Sequence, residues 1–266
     1  MILRKIYNIT LINISRLIFN IQNIFYRIKN KNKDKIFVFT DSRGYEVTHP
    51  WNKKNPFSSY IGCLIKDYNV EYHICEESST TIIDFLYLYN KRIAAGHKYQ
   101  HVIAHIGLVD FSPRPLNMLD KIINKKQDKI KALGLDISVF QNRKKEKIST
   151  ELYFGDHLGN LYSMEFFKKE ILTKLQSIDN MIYIGCNKVL QDWNGNYWRN
   201  RPKDINILLD YNNVIEHSLH EKNKISIINW TEADIKENTV DNIHLNKNGF
   251  NIIANKLKSK IGKSCE

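Results

Sequence analysis

The feature that most limits what this chain can fold into is a repeated alternation. Short apolar runs rich in β-formers are each followed by a stretch with helical spacing. The runs are Lys35–Thr40 (KIFVFT), 70–75, 101–107 (HVIAHIG), 181–186 (MIYIGC) and 224–230. Helical patterns occupy 56–67, 80–92, 163–178, 204–221 and 246–261; Asn246 is placed to cap the last, and Phe250, Ile253, Leu257 and Ile261 form its inner stripe. Strand-helix alternation of this kind implies parallel β-α-β units with right-handed crossovers. Nearly continuous apolar strands fit a sheet covered on both faces. The expected fold is a flavodoxin-like three-layer α/β domain with a five-stranded parallel sheet over residues 35–266. An insertion at 111–165 interrupts it, and a separate segment, 1–34, precedes it.

Ligands of such sheets sit beyond the carboxyl ends of the strands, so a site is expected there. The first strand runs directly into Asp41-Ser42-Arg43-Gly44. A serine hydroxyl is a poor nucleophile unless a base takes its proton and donors hold the oxyanion that forms. A base is available far along the chain, in Asp241-Asn242-Ile243-His244 just before the last helix. A carboxylate three residues from a histidine can orient the ring and stabilise the imidazolium. The third strand ends in Gly107-Leu108-Val109-Asp110.

These three blocks, in this order and on these elements, resemble those of the SGNH (GDSL-like) hydrolases. Thr40–Gly44 looks like the family's first block, 107–110 like its third (usually Gly-x-Asn-Asp), and Asp241-x-x-His244 like its last. The resemblance spans roughly residues 35–261. It implies Ser42 as nucleophile, His244 as general base, Asp241 as its orienting partner, and the Ser42 N–H as one oxyanion donor. Two departures stand out. Ser78 or Ser79 occupies the place of the second-block glycine, and Val109, which cannot donate, replaces the third-block asparagine. Arg114 and Arg43 are the candidate substitutes, with Gly107 and Asp110 as further site residues. Each motif also has a plainer use: Asp41-Ser42 as a helix N-cap, His244 as a surface residue, Asp241 as a turn residue.

The resemblance therefore implies a serine esterase or O-acyltransferase that forms an acyl-enzyme; the basic insertion and the N-terminal helix fit an acylated carbohydrate substrate, such as a bacterial surface polysaccharide or its precursor. The alternative is an inactive SGNH-like binding or assembly module. Trp193, Tyr197 and Trp198, in the loop after the fourth strand, fit stacking on a sugar face or structural packing. His101 and His105 alternate along the third strand and are expected to be buried and hydrogen-bonded. No metal-ligand cluster, Walker loop or dinucleotide fingerprint is present, so neither metal nor cofactor is expected.

Net charge is +12, but it is uneven. Residues 1–35 carry +7 and residues 111–150 carry +6, which leaves the rest near neutral. Basic segments attract polyanions, anionic substrates or anionic membranes. No nucleic-acid-binding motif accompanies them, so no specific nucleic-acid partner is expected. In the first segment, Tyr7, Leu11, Ile14, Ile18, Ile21, Phe25 and Ile28 recur at spacings of three and four, a single apolar stripe on a helix. Polar interruptions keep it short of a membrane span, and no signal-cleavage pattern follows. Three uses of the stripe stay open: packing on the domain, a partner helix, or peripheral membrane association through residues 1–33. Cys63, Cys75, Cys186 and Cys265 form no C-x-x-C pair, and Cys75 and Cys186 end apolar runs. Buried free thiols and a cytoplasmic location, at the inner face of the membrane if the stripe binds lipid, are expected.

Overall fold

The structure, a computed structural model, describes residues 2–142, 148, 152–197 and 200–262. A parallel sheet is formed by β1 (Lys35–Thr40), β2 (Asn69–Ile74), β3 (His101–His105), β7 (Met181–Ile184) and β8 (Lys224–Ile225), in the order β2-β1-β3-β7-β8. That order is flavodoxin-like, with β1 and β3 adjacent at the centre where the winding reverses. The alternation of the sequence builds the two faces. Phe37 and Phe39 of β1, Val102 and Ala104 of β3, and Met181 and Tyr183 of β7 enter one core. Ile36, Val38, Ile103, Ile182 and Ile184 enter the other. All of these side chains are buried, each stabilising by roughly 1.5–3 kcal/mol for the larger ones.

Helices cover both faces. On the Ile36 side lie α2 (Tyr60–Asp67) and α11 (Lys247–Gly262). The expected stripe of α11 is buried, and the Asn246 side chain caps it by accepting from the N–H groups of Asn248 and Gly249 at 2.9 and 3.1 Å. On the Phe37 side lie α3 (Ile82–Ala94), α4 (Leu108–Phe111) and α9 (Leu208–Ser218). They are joined there by a rod made of α7 (Met164–Phe166), a π turn (Phe167–Leu172) and α8 (Thr173–Gln176).

Two expectations need correction. The fifth strand pairs only over two residues, although Ile227 beyond it is still buried. The insertion, expected only as an interruption of the alternation, carries its own helices and strands. It contains β4 (Arg114–Pro115), α5 (Leu116–Ala132), α6 (Ile137–Asn142), β5 (Leu152–Tyr153) and β6 (Asp156–Gly159), with the three strands in a small antiparallel sheet. Leu119, Ile122, Ile123 and Ile130 of α5 join the Phe37-side core. Two of its lysines are neutralised: Lys126 is buried against Asp84, and Lys129 binds Asp84 at 2.7 Å and also Glu77. One short helix, α10 (Glu232–Asn238), had no counterpart in the sequence reading.

The N-terminal segment is the helix α1 (Ile2–Lys29). The Asn30 amide fastens its end to the domain by donating to the carbonyls of Ile65 and Tyr68 at 2.8 and 3.2 Å. Among the described residues no helix is long and apolar enough to cross a membrane. Cys186 is buried and free, while Cys63 and Cys75 are free but only partly buried. Cys265 lies outside the described residues.

Candidate active site

β1 ends at Thr40, and the chain turns at once into a single 3₁₀ turn, Ser42–Gly44. The Asp41 side chain caps that turn, accepting from the Arg43 N–H at 3.0 Å, so the N-cap use of Asp41 is real. Gly44 is required by close approach, since a Cβ there would stand 2.2 Å from the Thr40 side chain. Asp41 and Arg43 point inward and are almost fully buried, whereas Ser42 between them is partly exposed.

Arg43 is therefore not a substrate ligand, and the expectation that placed it in the oxyanion site is corrected. All five of its N–H groups are taken. Its Nε and Nη2 donate to Asp41, Nη2 also to the Ile106 carbonyl at 3.0 Å, and Nη1 to the Gly185 carbonyl and the Cys186 sulfur at 3.0 and 3.2 Å. One guanidinium thus ties together the carboxyl ends of β1, β3 and β7. Burial opposes its charge, but the adjacent Asp41 carboxylate more than offsets this and holds the group ionised.

The second arm of the site is the loop between α10 and α11. The Val240 N–H donates to the His244 carbonyl at 2.8 Å, and Asn242 sits in the left-handed region (φ 76°) that asparagine tolerates. The Asn242 side chain is fully buried and interlocks with the loop after β7. It accepts from the Leu190 N–H at 2.9 Å and donates to the carbonyls of Leu190 and Trp193. Asn187, at the end of β7, donates back to the Asn242 carbonyl at 2.8 Å. This lock aims His244 across the sheet edge.

The two arms meet. His244 Nε2 lies 2.8 Å from Ser42 Oγ, and His244 Nδ1 lies 2.8 Å from Asp241 Oδ2. The other Asp241 oxygen accepts from the N–H groups of Ile243 and His244 at 3.1 and 2.8 Å, which fixes the carboxylate plane. Burial alone would push the Asp241 carboxyl up. The hydrogen bond and charge of His244, the His244 N–H and the nearby Arg201 outweigh it and hold the carboxyl below its ordinary range. The His244 side chain is about a fifth exposed, so the pair opens to solvent.

The remaining expected residues divide. Ser79 adopts a left-handed backbone (φ 60°), the conformation in which glycine is at ease, and its N–H makes no backbone bond among the described residues. Ser78 beside it is exposed and accepts from Lys125 Nζ at 3.3 Å. Gly107 is left-handed (φ 103°) and starts α4, with the Phe111 ring 2.5 Å from where a Cβ would stand.

Asp110 is fully buried and does not face a substrate, a second correction. It accepts from the Ile82 N–H at 3.0 Å and the Tyr162 hydroxyl at 2.6 Å, holding the start of α3 against the insertion. Burial raises its pKa to about 7, against the lowering effect of those donors. Arg114, in β4, is half-buried. Its Nε donates to the Val109 carbonyl at 3.0 Å, and no protein acceptor engages either Nη among the described residues. Burial lowers its pKa, with Asp110 and Tyr197 opposing.

Arg201 escaped the sequence reading. Its Nη2 donates to the Asp241 carbonyl at 2.6 Å and lies 3.6 Å from Asp241 Oδ2, while the guanidinium stacks 4.3 Å over the Tyr197 ring. Its Nε is buried and meets no partner among the described residues. The available signal was a basic residue beside an aromatic loop, which many surface loops share. Trp193 is half-buried, and Trp198 lies outside the described residues. His101 and His105 are buried as expected. His105 Nδ1 pairs with the Tyr60 hydroxyl at 3.0 Å, while its Nε2 has no partner among the described residues. Burial, with the charges of Arg43 and His244, holds His105 well below its ordinary pKa, so it stays neutral. A separate polar cavity of about 550 Å³, not lined by Ser42, lies along the edge of β2, where His73 and Arg92 both pair with Glu71.

No family model matches this chain, and no curated protein matches it. Among solved structures it is similar to LAE5, an alpha/beta hydrolase enzyme from the metagenome of Lake Arreo, Spain. The match has 14% sequence identity and a TM-score of 0.41 over 86% of this chain and 95% of that one.

Proposed function

We propose that the chain is a serine esterase or O-acyltransferase of the SGNH type, acting through an acyl-enzyme on Ser42. One observation carries the reading. Three side chains drawn from positions 202 residues apart form a continuous hydroxyl–imidazole–carboxylate relay, with 2.8 Å at both links. His244 Nε2 takes the Ser42 proton as Oγ attacks the ester carbonyl, and Asp241 holds the ring in the tautomer with the proton on Nδ1. The same imidazolium then protonates the departing alcohol oxygen. Water or a second hydroxyl, deprotonated by His244, next attacks the acyl group and releases Ser42.

The oxyanion needs donors. The N–H groups of Ser42 and Ser79 are assigned here, and an Arg114 Nη substitutes for the amide that Val109 lacks. The substrate class, an acylated and anionic carbohydrate, is supported by the two guanidinium groups and the Tyr197 ring at the site. Turnover of p-nitrophenyl acetate tests the reaction. Loss in both Ser42→Ala and His244→Ala, with unfolding midpoints unchanged, is the expected result. Equal turnover in wild type and both variants contradicts it and favours a binding module.

A further inference from the structure

The N-terminal helix presents the surface that the catalytic reading does not use. Its apolar stripe was one candidate for packing on the domain, but the helix docks through a different side. Phe19 is buried, and Asn8, Leu11, Ile12, Ser15, Asn23 and Tyr26 are half-buried. Apart from Leu11 the stripe faces out: Ile14, Ile18, Ile21, Phe25 and Ile28, joined by Leu17 and Ile24, are each half exposed or more. At 100° per residue these positions, with Tyr7, share one arc of about 120° along the helix. A monomeric soluble protein rarely leaves so long a contiguous apolar strip uncovered.

The charges say what covers it. Helix α1 contains Arg4, Lys5, Arg16, Arg27 and Lys29 and no acidic residue. Arg16 and Arg27 fall on one flank of the apolar arc, and Lys29 falls on the other. A second copy of α1 laid on this strip would set one wholly basic helix against another. An anionic phospholipid surface matches both parts, taking the apolar arc into the acyl boundary and the flanking cations to its headgroups. The helix is about 42 Å long, and it is too polar to span a bilayer.

The neighbouring segment extends the same face. Trp51 is a little over one-third exposed, stacks on His49 at 4.6 Å, and lines a groove of about 470 Å³ with Tyr7, Leu11, Ile14 and Ile18. Tryptophan favours the headgroup level of a bilayer. Trp51 lies in the connection that leaves the Ser42 turn and leads into α2.

We infer that α1, with Trp51 at its edge, is an interfacial helix that seats this protein on an anionic lipid surface. The inference is independent of whether Ser42 is a nucleophile. The test is co-sedimentation of the full chain with vesicles of phosphatidylcholine alone and of phosphatidylcholine with phosphatidylglycerol. The expected result is pelleting with the anionic vesicles only, weakened by added salt. Arg16→Glu with Arg27→Glu lowers the partition coefficient by at least about ten-fold. Ile14→Asp with Ile21→Asp abolishes binding. Both changes fall on exposed positions, and an unchanged melting temperature shows that the fold is intact. Pelleting with neither vesicle, or equally with both, overturns the inference. So does a stable dimer in lipid-free solution that the Ile14→Asp, Ile21→Asp pair splits.

Discussion

The turns after β1 and β3 lie side by side at one edge of the sheet, and both matched a sequence block, yet the molecule uses them in opposite ways. After β1, the flanking Asp41 and Arg43 are buried in mutual bonds, and Ser42 alone is partly exposed and turned to His244. After β3, Gly107 is closed over by Phe111, and Asp110 is spent on Ile82 and Tyr162. One turn displays a reactive group on a rigid bed, and the other is bed throughout. A motif at the carboxyl edge of a parallel sheet therefore mixes chemistry with scaffolding, and burial separates the two.

The sharpest way to break this contrast is at Ser42. On the proposed function, Ser42→Ala lowers esterase turnover by at least about 10⁴-fold with little change in unfolding midpoint. A variant that loses stability instead would put Ser42 in the scaffold. Arg43→Ala has the opposite profile. It strands the buried Asp41 carboxylate and three carboxyl-edge acceptors, and costs about 3–5 kcal/mol in a denaturant titration. Arg114→Ala, assigned to the missing oxyanion donor, lowers kcat by roughly 10- to 1,000-fold while leaving the melt in place. Loss confined to KM would instead make Arg114 a substrate anchor.

The smallest effect is expected at Asp110. Its carboxyl titrates near 7 in the fold, raised by burial from its ordinary value of about 3.9. Folding thus favours the protonated form. The contribution is fully present below about pH 4 and is lost as pH rises toward 7. Wild type should lose several degrees of melting temperature between pH 5 and 8 relative to Asp110→Asn, which retains an acceptor and cannot ionise. Parallel curves would show that Asp110 is charged throughout.

Much of this was legible in the chain. KIFVFT and MIYIGC alternate large and branched side chains because each face of the sheet meets its own helical layer, and that pattern is local. The relay was legible because its blocks sit at element ends that the alternation already located. What escaped depends on distant partners. Lysines hid the amphipathic α5, since the sequence does not show that Lys126 and Lys129 meet Asp84, some forty residues earlier. The stripe on α1 was plain, but its outward direction was not, because an asparagine-bearing side with Phe19 and Tyr26 makes the contact instead. Arg201 meets Asp241 across some forty residues of chain, beside the interlock of Asn242 with the loop after β7.

The most direct test of the account is covalent. Wild-type protein is incubated with a fluorophosphonate and mapped by peptide mass spectrometry, in parallel with His244→Ala. A single phosphonyl adduct on Ser42, formed by the wild type and slowed by orders of magnitude in the variant, is the predicted result. An unlabelled folded protein, or an adduct on any other serine, would contradict it.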